Sequence, residues 1–271
     1  MSNFDRSAAG AQYGRSLNRA EAAVVDEGLR AYMLRIYNYM GLGLAITGFA
    51  ALGIYLLSVT GDASAAARSA NGAALALRTG VYLTPVGYAL FVSPLKWLVF
   101  LAPLGLVFFL SYRVESMRTQ TALVTFWVYA ALVGLSLGSI FMIYTHTSVT
   151  RVFFITAASF GALSLWGYTT QRDLSGIGSF LVMGLFGIII ASVVNMFLGS
   201  STLQWVISVV GVLVFSGLTA WDTQRLKNEY VYGTLGGEAL EKSAIMGALS
   251  LYLDFLNLFV MLMQLLGQRE E

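Results

Sequence analysis

Two aspartates stand inside apolar stretches of this sequence. Asp254 lies in "ALSLYLDFLNLF", residues 248–259, and Asp222 lies in "LTAWDTQRLKNEY". Two carboxyl groups in contact cannot both ionise at little cost, so one of them retains a proton. Such a pair senses pH, and in its fully ionised form it offers the hard oxygen ligands that suit Ca²⁺. The chemistry indicated is proton-controlled binding of a cation.

The composition around these residues is that of a membrane protein. Of 271 residues, 57% are hydrophobic and 11% are charged, with a mean hydropathy of +0.72. Soluble domains are about 45–50% apolar and about 25% charged. The net charge of +2 does not favour nucleic-acid binding. The absence of cysteine and the single histidine argue against thiolate chemistry and a histidine-built metal centre, so we expect no cofactor.

Seven stretches reach the length of about 20 apolar residues that a helix needs to cross a bilayer. The predicted fold class is therefore all-α, a polytopic membrane protein with seven transmembrane helices. Residues 1–30 are expected to form a polar tail and residues 31–271 the transmembrane domain. The long connection 59–94 is interpreted as an external loop with room for a short interfacial helix. The predicted spans are 36–58, 95–112, 121–145, 149–170, 177–198, 203–224 and 245–266.

The distribution of Lys and Arg predicts a cytoplasmic N-terminus and an external C-terminus. Eleven basic residues fall on the side of the tail and five on the other side. The eleven are Arg6, Arg15, Arg19, Arg30, Arg35, Arg113, Arg118, Arg172, Arg225, Lys227 and Lys242, and the five are Arg68, Arg78, Lys96, Arg151 and Arg269.

The last span is predicted to lie inside the bundle. Its small and polar residues recur at spacings of three and four along one face, whereas its other faces carry Leu, Phe, Val and Met. A carboxylate at mid-membrane costs about 2.5–3.5 kcal/mol on an insertion scale, so it faces the bundle interior or water. We define the polar stripe as Gly247, Ser250, Asp254, Asn257, Met261 and Gln264.

Asp222 on the adjacent sixth span is the predicted partner of Asp254, with Ser250 and Asn257 as candidate pore-lining residues. If the seventh span begins near Gly247, Asp254 lies about 10 Å deep at 1.5 Å per residue, and Asp222 is shallower by several ångströms. Their meeting therefore requires a tilt or a different helix end.

Simpler roles stay open for several residues. Asp222 stands near Arg225 and Lys227 and can form a plain interfacial ion pair. Arg113, at the end of the second span, is either a charge partner of the aspartates or a residue placed by the positive-inside rule. Asp173 is expected to be the N-cap of the fifth span. Asn195 is expected to form a hydrogen bond between helices, and His146 to be solvated in a short external loop.

Three motifs, in this order, resemble the Bax inhibitor family (the transmembrane Bax-inhibitor-motif proteins) in its bacterial YccA-like branch. They are "GALSLWGYTTQRDLSGIGSFLVMGL", "VLVFSGLTAWDTQRLK" and "ALSLYLDFLNLF", and the resemblance covers about residues 30–267. It implies a bacterial inner-membrane protein with six helices around a central seventh. It further implies a pH-sensitive calcium leak with Asp222 and Asp254 as the functional aspartates. An arginine on the second helix, best matched by Arg113, is implied to latch the cytoplasmic side.

The leading functional expectation is thus a calcium leak channel and not an enzyme. The resemblance also implies an alternative, in which the protein regulates a membrane-bound AAA protease by protein–protein contact without transport. Intramembrane aspartyl proteases likewise use two aspartates as general acid and base, but they resemble one another in a Gly-x-Gly-Asp motif. Here Leu251, Tyr252 and Leu253 precede Asp254. A retinal protein is disfavoured because the last span has no lysine for a Schiff base.

Overall fold

Helices dominate the computed structural model, which describes residues 3–69, 71–232 and 236–270, with side chains from residue 27 onward except at residue 232. Within that part, seven helical segments are long and apolar enough to cross a bilayer. This confirms the predicted all-α polytopic fold. The helices are α1 (Asn3–Ser58), α2 (Pro85–Phe91), α3 (Lys96–Arg113), α4 (Thr119–Leu137), α5 (Ile140–Ile143), α6 (His146–Thr169), α7 (Ser175–Leu198), α8 (Ser201–Tyr232) and α9 (Glu238–Leu266).

The hairpin of α8 and α9 extends well beyond the predicted spans. The sixth span was predicted to end at residue 224 and the seventh to begin at residue 245, but α8 continues to Tyr232 and α9 begins at Glu238. Hydropathy ends a span where charged residues begin, whereas the helix continues through them. Polar contacts support this extension, including a 2.7 Å hydrogen bond from the Ser243 hydroxyl on α9 to the Glu229 carboxylate on α8.

The connection 59–94 contains a small sheet as well as the expected short helix. Strands β1 (Val59–Thr60), β2 (Ala76–Arg78) and β3 (Val81–Leu83) form an antiparallel sheet in the order β1-β3-β2. The helix is α2, whose first turn is capped by the Thr84 hydroxyl, which accepts a 3.1 Å hydrogen bond from the Gly87 N–H. The sequence did not predict the strands because two or three residues are too few to show a periodicity.

We call the end of the bundle that holds the α8–α9 connection the basic end, and the end that holds β1–β3 the sheet end. Helix α9 is the most buried span: 61% of its most apolar segment is buried, against 17–44% for the other six. It packs against α1, α4, α6 and α8, whereas α3 packs mainly on α4 and α7 mainly on α8. The prediction of six helices around a central seventh remains a prediction.

A short segment after α9 closes the sheet end. The Thr145 N–H donates to the Gln268 carbonyl and the Glu270 N–H to the Ile143 carbonyl, both at 3.0 Å. The Glu270 carboxylate contacts Arg78 of β2 and lies 4.0 Å from His146 Nδ1. His146 is partly solvated, as predicted, because its side chain is 47% exposed. The prediction did not include its carboxylate neighbour Glu270.

Helices α6 and α8 approach closely at Gly167, and we predict that Gly167→Ala destabilises the protein. A Cβ at Gly167 would lie 2.9 Å from Ala220 Cα and closer still to the Ala220 carbonyl, so the backbones would have to separate. Overpacking of this kind costs about 1–3 kcal/mol. Thermal unfolding of the detergent-solubilised protein should show a lower Tm.

Gly161, on the same helix, provides the matched control. No atom lies within 4 Å of a Cβ built there, so Gly161→Ala should leave the Tm unchanged or slightly raised. Equal Tm values for the two variants would contradict the close contact between α6 and α8.

Candidate functional site

The polar stripe of α9 faces α8 along most of its length. The two helices are antiparallel, and five of the six stripe residues contact α8 in a regular order. The exception is Asn257, whose Nδ2 donates to the Leu253 carbonyl of its own helix at 2.8 Å. From the basic end to the sheet end, the contacts are Gly247 with Leu226, Ser250 with Arg225, Asp254 with Asp222, Met261 with Gly211 and Gln264 with Ser208.

The structure brings Asp222 and Asp254 together. Their carboxyl groups are interacting neighbours, and the two residues are only 7% and 5% exposed. Within the described part of the chain, Asp254 Oδ2 is buried with no hydrogen-bond partner. Both helices are longer than predicted by similar amounts, so Asp254 is still farther from the start of α9 than Asp222 is from the end of α8. The aspartates meet because α9 begins farther out at this end of the bundle than α8 ends. The contact of two buried carboxyl groups is the main chemical feature of the molecule.

Arg225 links this pair to the surface of the bundle. Its Nη2 lies 2.9 Å from Asp222 Oδ1 and donates to the Ser250 hydroxyl on α9 at 3.1 Å. The guanidinium carbon lies 5.0 Å from the centre of the Trp221 ring, in the range of a cation–π contact. One side chain therefore connects α8 to α9 beside the pair. Asp222 therefore has both of its predicted partners: it forms an ion pair with Arg225 and also neighbours Asp254.

Arg113 is not brought to the aspartates. It ends α3 with an exposed side chain, and among the described residues it forms no ion pair with either carboxylate. The structure thus favours Arg225 over Arg113 as the basic partner of the pair. The sequence signal for Arg225 was its position three residues after Asp222, which places the two side chains on the same face of a helix.

Apolar layers lie one turn away on both sides of the pair. Toward the basic end, Leu226 and Ile36 pack on Gly247 and are 2% and 0% exposed. Toward the sheet end, Leu258 follows Asp254 by one turn and is 1% exposed. Buried apolar side chains therefore flank the pair on both sides along the bundle axis.

The two residues after Asp222 anchor α8 to its neighbours. The Thr223 hydroxyl lies 2.8 Å from that of Ser164 on α6, which in turn lies 2.7 Å from the Tyr37 hydroxyl on α1. Gln224 Oε1 accepts from the Leu174 N–H at 2.8 Å at the start of α7. Sequence reasoning missed these positioning residues. Their signal was weak, because single hydroxyl and amide side chains are common in membrane helices.

One of two sequence predictions for polar residues near the α7 ends is confirmed. Asn195 Nδ2 donates to Gln204 Oε1 on α8 at 3.0 Å, which is the expected bond between helices. Asp173 is not the N-cap of α7, because Leu174 occupies that position; the Asp173 carboxylate, one residue earlier, accepts from the Ser175 N–H at 2.9 Å. Hydrogen bonding with Ser175 lowers the pKa of Asp173, which lies outside the spans.

The described residues contain no group of three or more His, Cys, Asp or Glu side chains that could hold a metal ion. A resident Ca²⁺ takes six to eight oxygen ligands. Two carboxyl groups with a nearby hydroxyl offer fewer, which suits an ion that passes and leaves better than one that stays.

Comparison with known proteins agrees with this architecture. Residues 29–271 match the family described as "Inhibitor of apoptosis-promoting Bax1". An uncharacterized protein of Rickettsia prowazekii is 46% identical over 246 residues, which covers 91% of this chain and 93% of the relative. The "Inner membrane protein YbhL" of Escherichia coli K12 is 42% identical over 244 residues, covering 89% and 93%. An uncharacterized protein of Caulobacter vibrioides is 40% identical over 275 residues, covering 100% of both chains. This chain therefore belongs to the Bax inhibitor family of multi-pass membrane proteins.

Proposed function

We propose that this protein is a pH-sensitive calcium leak channel of the bacterial inner membrane and that Asp222 and Asp254 form its proton sensor and gate. The observation that carries the proposal is the contact between the two buried carboxyl groups across α8 and α9. The inner-membrane location is supported by the name of the E. coli relative. The N-terminus is proposed to be cytoplasmic from the distribution of basic residues.

The number of protons on the pair sets the attraction between α8 and α9. A single shared proton joins the carboxyl groups by a hydrogen bond. Loss of that proton leaves two negative charges, which repel by about 4 kcal/mol at a separation of about 4 Å and an effective dielectric constant of about 20. A change of that size alters a ratio of two conformations by roughly three powers of ten. The pair is thus able to shift the bundle between two states over a narrow pH range.

The same chemistry explains a preference for a hard cation. Ionised carboxylates and the Ser250 hydroxyl are all oxygen ligands, which Ca²⁺ prefers over nitrogen or sulfur. The site offers few ligands, so the ion binds weakly enough to be released, as conduction requires. We assign no catalytic role to the pair, because the apolar layers of Leu226 and Leu258 leave little space for a peptide substrate.

Calcium flux into proteoliposomes that contain the full chain tests this function. With an entrapped fluorescent indicator, we expect influx above that of protein-free liposomes, with a rate that changes between pH 5 and pH 8. Absence of flux at every pH, from protein with a cooperative unfolding transition, would contradict the channel. It would favour regulation of a membrane-bound AAA protease, in which the polar residues 1–30 would be the first segment to delete.

A further inference from the structure

A groove separates α1 and α6 at the basic end of the bundle. Its volume is about 800 Å³, and it is open to the outside of the bundle. Arg30 and Tyr37 on α1 and Ser164 and Tyr168 on α6 are its polar lining residues. The remaining wall is mostly apolar, with Leu34 and Phe160 among its members.

The groove crosses the level where lipid headgroups meet acyl chains. Arg30 lies in the first turn of the apolar segment that begins at Glu27, and Tyr168 is the second-last residue of α6. Tyrosine at this level is typical of the membrane interface. From Arg30 to Tyr37 the groove extends about 10 Å deeper at 1.5 Å per residue. Its polar mouth and apolar interior thus follow the same order as a phospholipid.

The mouth of the groove is positively charged. Arg30 is exposed, and Lys227 of α8 donates to the Tyr168 carbonyl at 2.9 Å, with its ammonium 5.5 Å from the centre of the Tyr168 ring. None of the residues lining the groove is acidic. On α1, Glu27 lies one turn before Arg30. On α8, the Glu229 carboxylate accepts a hydrogen bond from the Ser243 hydroxyl of α9.

We propose that this groove binds one anionic phospholipid. Its phosphate lies between Arg30 and Lys227, and one acyl chain lies along Leu34 and Phe160. Two cations at the edge of an apolar groove complement a negative headgroup, and basic pockets between transmembrane helices bind such headgroups in general. A zwitterionic lipid of the same chain length fills the groove but gains less from the two cations.

The bound lipid touches the hydrogen bonds that position α8. Tyr37 and Ser164 both line the groove, and Ser164 bonds to Thr223, the residue after Asp222. Occupancy of the groove therefore acts on the same helix that carries the candidate gate, although binding itself does not depend on channel activity.

Native mass spectrometry of the full-length protein tests the proposal, with phosphatidylglycerol and phosphatidylcholine of identical chains as probes. We expect tighter binding of phosphatidylglycerol by the wild type. Arg30→Gln should weaken phosphatidylglycerol binding about fivefold and leave phosphatidylcholine binding unchanged. Gly161→Leu should weaken both, because Gly161 lines the groove and a Cβ built there has no atom within 4 Å, so a side chain at this position takes up space in the groove.

Gly187→Leu on α7 is the matched control, since a Cβ there is equally free and Gly187 does not line the groove. It should bind both lipids as the wild type does. Equal affinity of the wild type for the two lipids would overturn the proposal, as would phosphatidylglycerol affinity that survives both Gly161→Leu and Arg30→Gln. Competition by soluble glycerol phosphate would also overturn it, because it would indicate a phosphate site and not a lipid site.

Discussion

Replacing Asp254 by asparagine is expected to give a calcium flux that is the same at pH 5 and pH 8. Asparagine has nearly the volume of aspartate, and its amide donates a hydrogen bond to Asp222 as a protonated carboxyl group does. The variant is therefore fixed in the state that the wild type reaches when the pair holds its shared proton. Its flux should match that of the wild type at low pH across the whole range. Calcium influx into proteoliposomes measures this directly.

Asp173→Asn is the control for this substitution. Hydrogen bonding with Ser175 lowers the pKa of Asp173 from its ordinary value of about 3.9, so this exposed carboxylate is already ionised throughout the range from pH 5 to pH 8. Its contribution to stability is lost only as the pH falls through that lowered pKa, below the range of the assay. The pH dependence of Asp173→Asn should match the wild type. A wild-type pH curve in Asp254→Asn would contradict the proposed sensor.

Replacing Arg225 by glutamine is expected to raise the leak about fivefold at the pH where the wild type is least permeable. The change removes the charged hydrogen bond to Ser250, which joins α8 to α9, and the ion pair with Asp222 on the same helix, which holds the guanidinium beside the pair. Because the Arg225 side chain is 44% exposed, water screens these contacts, and we assign them only about 1 kcal/mol. That free energy corresponds to roughly a fivefold change in the ratio of open to closed protein.

Arg113→Gln distinguishes the two candidate latch residues. Arg113 is exposed at the end of α3, and in the described part of the chain it makes no ion pair with either aspartate. Its flux should therefore equal that of the wild type at every pH. A larger leak in Arg113→Gln than in Arg225→Gln would contradict the assignment of Arg225 and restore the partner implied by the family resemblance.

The sequence predicted the seven spans and the stripe of α9 because both depend on patterns along a single helix. An apolar run of sufficient length is visible residue by residue, and so is a polar face with spacings of three and four. The pairing of Asp222 with Asp254 was also predictable, since consecutive spans are neighbours and a buried carboxyl group needs a polar partner.

The parts that the sequence did not predict depend on contacts between helices or on very short elements. Hydropathy could not place the end of α8 at Tyr232, because the charged last turns are stabilised by contacts such as the bond between Glu229 and Ser243. The choice of Arg225 over Arg113 depends on the packing of α3, which lies mainly on α4 and not beside the α8–α9 pair. The hydrogen bonds from Tyr37 through Ser164 join three helices, and no spacing within one helix reveals them.

Infrared absorption of protonated carboxyl groups tests whether the Asp222–Asp254 pair controls the gate. It is recorded on the same proteoliposomes and over the same pH range as the calcium flux. A shared proton on the Asp222–Asp254 pair predicts a carboxyl band in the wild type that titrates with the same midpoint as the flux. That titrating band should be absent in Asp254→Asn. A flux that changes with pH while the band stays constant, or an identical titrating band in Asp254→Asn, would contradict a gate controlled by this pair.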